Sequence, residues 1–223
     1  NIYISHLHFD HIVGVPDFWL TSNLWQKKTD TNIFGPVGIK NFCKGLRQSY
    51  EKDFEYRYSG NTHSKIICHN YSEKKIIKNN FLEVKIFKNN HGHIENSHGF
   101  KIIYNNKSIV YSGDTTYSKE VVKNAKNCDI LIHEVIATSK KMRDNNKKLR
   151  SVISTHTTIS QLSKILNESN PKLTILNHAL LFGVSEKFVL NEIKESYDGK
   201  VIFSKDMMSV DLGDEINVFN IGN

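Results

Sequence analysis

The sequence predicts an α/β domain that gathers metal-competent side chains at the ends of its strands, and three observations carry that prediction. Alternating or β-branched runs recur along the chain, and five of them lead into histidines or acids: after Ser5, after Phe87, at Asp114, at His133-Glu134 and at His178. Stretches with apolar residues at helical spacing lie between them. The chain has 223 residues, 39% of them hydrophobic, which suffices for one sizeable core. No Pro/Gly/Ser-rich linker divides it, so residues 1–223 are read as a single domain.

The first strand is Asn1-Ile2-Tyr3-Ile4-Ser5, which delivers His6-Leu7-His8-Phe9-Asp10-His11 into the loop behind it. Four potential ligands in six residues point to metal. Residues two apart at a strand end can face the same way, so His6 and His8 can share one ion while Asp10 and His11 turn toward a second. Imidazole with carboxylate suits zinc, with iron or manganese as tolerated substitutes. Ile12 to Leu20 continue as a short helix or turn. Ile33-Phe34-Gly35-Pro36 reads as a strand closed by a turn, before a helix from about Val37 to Phe54 with Ile39, Phe42 and Leu46 on its apolar side.

The alternating run Phe81 to Phe87 then leads into Asn89-Asn90-His91-Gly92-His93, where either His91 or His93 can complete a three-histidine set with His6 and His8. His98 stands before Gly99-Phe100, which opens a strand over Lys101 to Tyr104. Ser108 to Tyr111 is an apolar strand ending in Ser112-Gly113-Asp114-Thr115, and Asp114 is well placed there to bridge two cations. Capping the next helix is the rival role for Asp114, but Ser118 is the better cap. Asp129 to Val135 is a buried-type strand carrying His133-Glu134. Thr158 and Gln161 have capping-box spacing ahead of a helix with Ile159, Leu162, Ile165 and Leu166 on one face, which leaves His156 outside it. Leu173 to Asn177 is a strand followed by His178. Lys200 to Ile221 reads as three further strands, at 201–203, 208–212 and 216–219.

The motif His-x-His-x-Asp-His after a strand resembles the signature of metallo-β-lactamase-fold hydrolases, and the resemblance runs from His6 to about Asp211. It implies an αββα sandwich. That family places further strands ahead of the motif, whereas this chain opens on it at Asn1, so an N-terminal truncation is expected. The resemblance also implies two zinc ions held by His6, His8, Asp10, His11, a histidine at 91 or 93, bridging Asp114, and His178. In the arylsulfatase-like branch the ligand histidine is followed by glycine and lies eight residues before a Gly-aromatic pair, which selects His91. The spacing of the ribonuclease Z branch would select His93. Gly92 favours His91.

His133-Glu134-Val135-Ile136 and His156-Thr157-Thr158 resemble the ribonuclease Z signatures His-Glu-Ala-Thr and His-Ser-Thr. This implies Glu134 as the group that orients His156, and His156 as general acid toward the leaving oxygen. A carboxylate on one imidazole nitrogen fixes the tautomer, so the other nitrogen can deliver a proton. Asp10 joins Glu134 and His156 in the implied catalytic set, and His133 is read as structural. The implied reaction is hydrolysis of a phosphodiester or sulfate ester by water activated between the two cations. The alternative is tRNA 3′ processing, the ribonuclease Z activity itself. Ribonuclease Z carries Ser-x-Arg-Tyr after its last histidine ligand, whereas this chain has Ala179-Leu180-Leu181-Phe182, an apolar wall and a poor phosphate clamp. A small anionic ester is therefore expected ahead of tRNA. No Gly/Pro-rich arm is seen, although Glu51 to Asn80 is polar enough for a short insertion.

Other chemistries fit less well. No cysteine stands at a ligand position, as the commonest zinc β-lactamases require, and the His-Thr-Pro-Gly-His-like motif of glyoxalase-type thioesterases is missing. A non-catalytic basic binding protein on the same fold predicts a decayed ligand set, and this set is intact. Formal charge is +7, which attracts phosphorylated or sulfated substrates and RNA. The lysine pairs at 27–28, 74–75, 140–141 and 147–148 are scattered and read mostly as solvated faces. Cys43, Cys68 and Cys128 are expected as reduced thiols in a cytoplasmic protein. No apolar run is long enough for a membrane span. The resemblance adds a homodimer as the expected assembly.

Overall fold

The computed structural model describes residues 1–58, 63–71, 76–78 and 81–220. Its contacts divide the chain into two compact units, Asn1–Lys75 and Ile76–Asn223. Lys74 and Lys75, part of the stretch expected to hold an insertion, and Ile221 lie outside the described residues.

The first unit holds a parallel sheet of β1 (Ile2–Tyr3), β2 (Thr31–Gly35) and β3 (Ile66–Asn70), in that order. The strand expected over 1–5 pairs in the ladder only at Ile2 and Tyr3. Ile4 N–H still donates to the Phe34 carbonyl at 2.8 Å, so the chain follows β2 that far and then departs with Ser5 and His6. The short helix or turn expected over 12–20 is a helix, α2 (Gly14–Leu24), that runs longer than expected, with α1 (Phe9–Ile12) ahead of it. Asn23 explains part of that length. Its side chain accepts from Ser64 N–H at 2.8 Å and donates to the Ser64 carbonyl, as does Trp19 Nε1, which clips α2 to the segment leading into β3.

Helix α3 (Ile39–Tyr58) begins after the expected Val37 and ends beyond the expected Phe54. Its last turn is supported by Arg57, whose Nε meets Asp53 Oδ1 at 2.8 Å with i,i+4 spacing. Ile33, Ile39, Leu46, Ile66 and Trp19 fill the core of the unit. Strand β3 was not expected, because Ile66–Asn70 has no clean alternation and becomes a strand only by pairing with β2. The expectation of three reduced thiols is corrected here. Cys43 on α3 and Cys68 on β3 are joined as a disulfide, and only Cys128 is free. Their separation of 25 residues carries no pairing signal, and the α3–β3 packing supplies it.

The second unit is built on a seven-stranded mixed sheet, comprising β4 (Ile76–Lys78), β5 (Leu82–Lys88), β6 (His98–Tyr104), β7 (Lys107–Tyr111), β8 (Ile130–Thr138), β9 (Leu173–Phe182) and β10 (Val201–Phe203). The order is β10-β9-β8-β7-β6-β5-β4, parallel from β10 to β7 and antiparallel from β7 to β4. Strand periodicity sorts the faces. Val110, Leu131, Val135 and Leu176 pack on one side with residues of α4 (Lys119–Ala125), α7 (Ile159–Ser169) and α8 (Glu186–Lys194). Ile130, Leu173 and Ile175 pack on the other, under the hairpin of β11 (Met208–Leu212) and β12 (Ile216–Asn220).

Two expectations about strand ends are corrected in this sheet. His133-Glu134 and His178 do not follow their strands but interrupt them, since β8 continues to Thr138 and β9 to Phe182. In the parallel register His133 faces Leu176 and Val135 faces Ala179, so the single residue Glu134 stands opposite both Asn177 and His178. His178 takes up the extra residue with φ of 49°, a left-handed conformation that costs a non-glycine residue about 1–2 kcal/mol. Such a bulge turns side chains out of the ladder. Between β8 and α7, the chain forms α5 (Lys140–Asp144) and α6 (Lys147–Ile153). The capping box of Thr158 and Gln161 forms as expected, and Ser118 caps α4 by accepting from Val121 N–H.

Candidate metal centre

In the first unit, the departure of the chain from β1 places the rings of His6, His8 and His11 side by side. His6 is fully buried, its Nδ1 lies 3.1 Å from Ser5 Oγ, and its Nε2 lies 2.9 Å from His8 Nδ1. The His6 and His11 ring centroids are 4.2 Å apart, and Asp10 Oδ2 lies 3.5 Å from His11 Nε2. Helix α1 explains the grouping. His8 is its N-cap, and the turn that follows brings His11 back beside His6.

In the second unit, His91, Asp114, Glu134, His156 and His178 converge from five separate segments. One ligand atom from each of His91, Asp114 and His156 lies within 4.8 Å of the others, and the same holds for Glu134, His156 and His178. His178 Nε2 is 3.6 Å from Asp114 Oδ2. His91 Nδ1 donates to the Thr155 carbonyl at 2.8 Å, which fixes the tautomer and leaves Nε2 as the lone-pair nitrogen. Metal-ligating histidines use that second contact to set ring orientation. His93, the other candidate at this position, is exposed, whereas His91 is buried. Asp114 follows β7 through Gly113, whose φ of 62° is the left-handed turn that the Ser-Gly-Asp sequence anticipates.

His156 Nδ1 donates to Glu134 Oε1 at 3.0 Å, and both side chains are almost fully buried. The same oxygen accepts the Thr115 N–H at 2.8 Å. Burial pushes the Glu134 carboxyl well above the usual carboxylate range. The Thr115 N–H opposes this, the Asp114 charge adds to it, and His178 and the Thr157 backbone lower it. His133 is fully buried on the strand. Desolvation lowers its pKa from 6.5 to about 4, so it stays neutral, with Nδ1 donating to the Glu134 carbonyl.

Sequence reasoning expected the Glu134–His156 contact but missed the backbone and hydroxyl contacts that Thr155 and Thr157 add to it as a clip. The Thr155 carbonyl holds His91, His156 holds Glu134, and the Thr157 hydroxyl donates to the Thr115 carbonyl. The only local signal was the His156-Thr157 signature, because carbonyl contacts leave no residue preference. Gly92 belongs to this clip. Its φ is 58°, and a Cβ built there would stand 2.6 Å from Thr155 Cγ2. Gly92→Ala is expected to destabilise the metal-free protein by about 1–2 kcal/mol through the left-handed backbone alone, read as a lower midpoint in a denaturant melt. An unchanged midpoint would show that the segment yields freely.

The donors fit zinc-type cations. Imidazole nitrogens and a carboxylate form the preferred set for that borderline-soft ion, and the Thr155 carbonyl provides the outer contact such ligands use. The fold is that of the metallo-β-lactamase proteins, and metal-dependent hydrolases of the ribonuclease Z branch are among the chain's relatives. The chain belongs to the anti-Pycsar protein Apyc1 family, whose model matches residues 1–180. Ribonuclease Z of Picrophilus torridus is 26% identical over 263 aligned residues, covering 99% of this chain and 81% of that protein. Ribonuclease Z of Streptococcus gordonii is 28% identical over 240, covering 86% and 74%. Among solved structures, the fold matches human tRNase Z, short form, with a TM-score of 0.62 at 21% identity over 92% of this chain and 76% of that one. The metallo-β-lactamase-fold protein YhfI of Bacillus subtilis matches with a TM-score of 0.63 at 19% identity, over 91% and 73%. No helix among the described residues is long and apolar enough to cross a membrane.

Proposed function

We propose that this chain is a dinuclear zinc phosphodiesterase whose substrate is an RNA phosphodiester of the kind ribonuclease Z cleaves. The observation that carries the reading is the buried Glu134–His156 hydrogen bond of 3.0 Å beside the His91, Asp114 and His178 donors. The motif resemblance would make His6, His8, Asp10 and His11 of the first unit, and His91, Asp114 and His178 of the second, the cation ligands. When bound, such a pair of cations supplies Lewis-acid activation of water and neutralises charge on the ester.

The chain's own residues do the rest. Glu134 holds His156 through Nδ1, which leaves Nε2 as the atom that hands a proton to the departing oxygen. The Thr155 carbonyl keeps His91 in the ligand tautomer. Asp10, beside His11, adds negative charge to the second set. The named relatives are ribonucleases, which supports a phosphodiester over a sulfate ester and RNA over the small anionic ester expected from sequence. The apolar Ala179 to Phe182 segment remains the departure from that pattern, so substrate must be read directly. Purified protein is expected to carry close to two zinc ions per chain by elemental analysis, and to trim precursor tRNA faster than bis(p-nitrophenyl) phosphate. Turnover of the small diester alone would overturn the RNA reading while leaving the phosphodiesterase intact.

The family description supports a second reading, that the same centre acts against Pycsar. The matched span, residues 1–180, contains every residue assigned above. Pycsar function measured with and without the chain tests it, and an equal effect of a His156→Ala variant would sink it.

A further inference from the structure

Helices α5 and α6 carry six cations, Lys140, Lys141, Arg143, Lys147, Lys148 and Arg150, against the single acid Asp144. All six are exposed, while Leu149 is buried beneath them as the anchor of α6. Five cations elsewhere in this unit meet a carboxylate. Lys78 and Lys85 meet Glu83, Lys123 meets Glu120, Lys164 meets Glu168 and Lys172 meets Asp129. On α5 and α6 the one ion pair is Arg143 with its neighbour Asp144 at 3.6 Å, and no carboxylate pairs with the four lysines among the described residues. Lysines in the first turn of each helix also oppose the macrodipole, so they do not serve helix stability.

The placement of this ridge ties it to the reaction. Arg150 Nη1 donates to the Arg143 and Asp144 carbonyls at 3.1 and 3.0 Å, which locks α5 to α6. Ser139 N–H donates to the Phe182 carbonyl at 2.9 Å, fixing the start of α5 to the apolar end of β9. Helix α6 ends at Ile153, and its carbonyls receive the N–H groups of Thr155 and His156. The cationic pair of helices therefore leads directly into the residues that hold His91 and Glu134. The phosphate clamp missing at Ala179 to Phe182 has a replacement of the right charge on the adjoining helices.

We propose that the α5–α6 ridge binds the phosphate backbone of a single-stranded RNA flank next to the bond being cleaved. One phosphodiester carries one charge, and four unpaired lysines plus Arg143 exceed what a single ester can use. A backbone that repeats a charge at every nucleotide matches them. The inference rests on the phosphodiesterase reading for its meaning, but its test does not need turnover.

The experiment measures fluorescence anisotropy of a labelled single-stranded RNA with metal-stripped protein, between 50 and 200 mM salt. The comparison is a Lys140→Ala, Lys141→Ala, Lys147→Ala, Lys148→Ala variant. Four contacts on a single strand give a slope contribution of about −2.8 in log affinity against log salt, so the parent is expected to lose roughly 50-fold more affinity across that range than the variant. The corresponding Lys→Arg variant should keep the parent slope, which separates lost charge from lost fold. Bis(p-nitrophenyl) phosphate turnover by the zinc-loaded alanine variant should equal the parent's. Equal salt slopes for parent and alanine variant, or no RNA binding by the parent, would overturn the proposal. A loss of small-diester turnover in the alanine variant would also overturn it, by placing the lysines in the hydrolytic site. Absence of small-diester and RNA turnover in the parent, with the binding result intact, would instead sink the phosphodiesterase reading alone.

Discussion

Replacement of His156 by alanine is expected to lower kcat on a phosphodiester by about 10²–10⁴-fold, the usual contribution of a positioned general acid, with zinc content unchanged. The leaving oxygen departs as an unprotonated alkoxide when no donor stands beside it, and that range corresponds to about 3–5 kcal/mol of transition-state stabilisation. Glu134→Gln should act through the same group. It keeps an acceptor for His156 Nδ1 but removes the carboxylate that favours imidazolium, so the alkaline limb of the pH–rate profile, where the proton donor is lost, is expected to move to lower pH. Because the two side chains act as one device, the double variant should cost little more than His156→Ala alone. Elemental analysis distinguishes the rival assignment. A ligand atom of His156 lies within 4.8 Å of those of His91 and Asp114, so loss of zinc from His156→Ala would make it a ligand instead.

Acid is expected to destabilise the metal-free protein through His133. Burial depresses its folded pKa to about 4 from the ordinary 6.5, so the unfolded chain binds the proton more readily. Its contribution is fully present above pH 6.5 and is lost as pH falls from 6.5 toward 4. The loss reaches about 2 kcal/mol at pH 5 and about 3 kcal/mol below pH 4. Denaturant melts at pH 7.5 and 5.0 measure it, and His133→Gln should flatten the difference by that amount. An unchanged difference in the variant would place the acid sensitivity elsewhere.

Much of the candidate centre was legible in the sequence because its chemistry is local. His6, His8, Asp10 and His11 share one short window, and Asp114 announces itself behind an apolar strand and a glycine turn. The capping box at Thr158 and Gln161 was legible for the same reason, since both partners lie in one helical turn. Where interpretation failed, the cause was non-local. The β3 strand depends on a partner 35 residues away, as Thr31 faces Ile66. The Cys43–Cys68 link depends on how α3 packs against β3. His133, Glu134 and His178 looked like strand ends, because a polar residue after an apolar run ends most strands. In the parallel sheet they are a bulge, which only the register of β8 against β9 can define.

Composition and spacing by themselves indicated an α/β chain with histidines and acids grouped as metal ligands are, and the motif resemblance added hydrolysis. Side-chain type is written residue by residue, and ligand chemistry depends on type. Tertiary structure alone decided that His91 rather than His93 is buried beside Asp114, that Thr155 fixes its tautomer, and that Glu134 and His156 meet at 3.0 Å. Those outcomes depend on backbone carbonyls and strand register. Neither property is carried by the identity of any one residue.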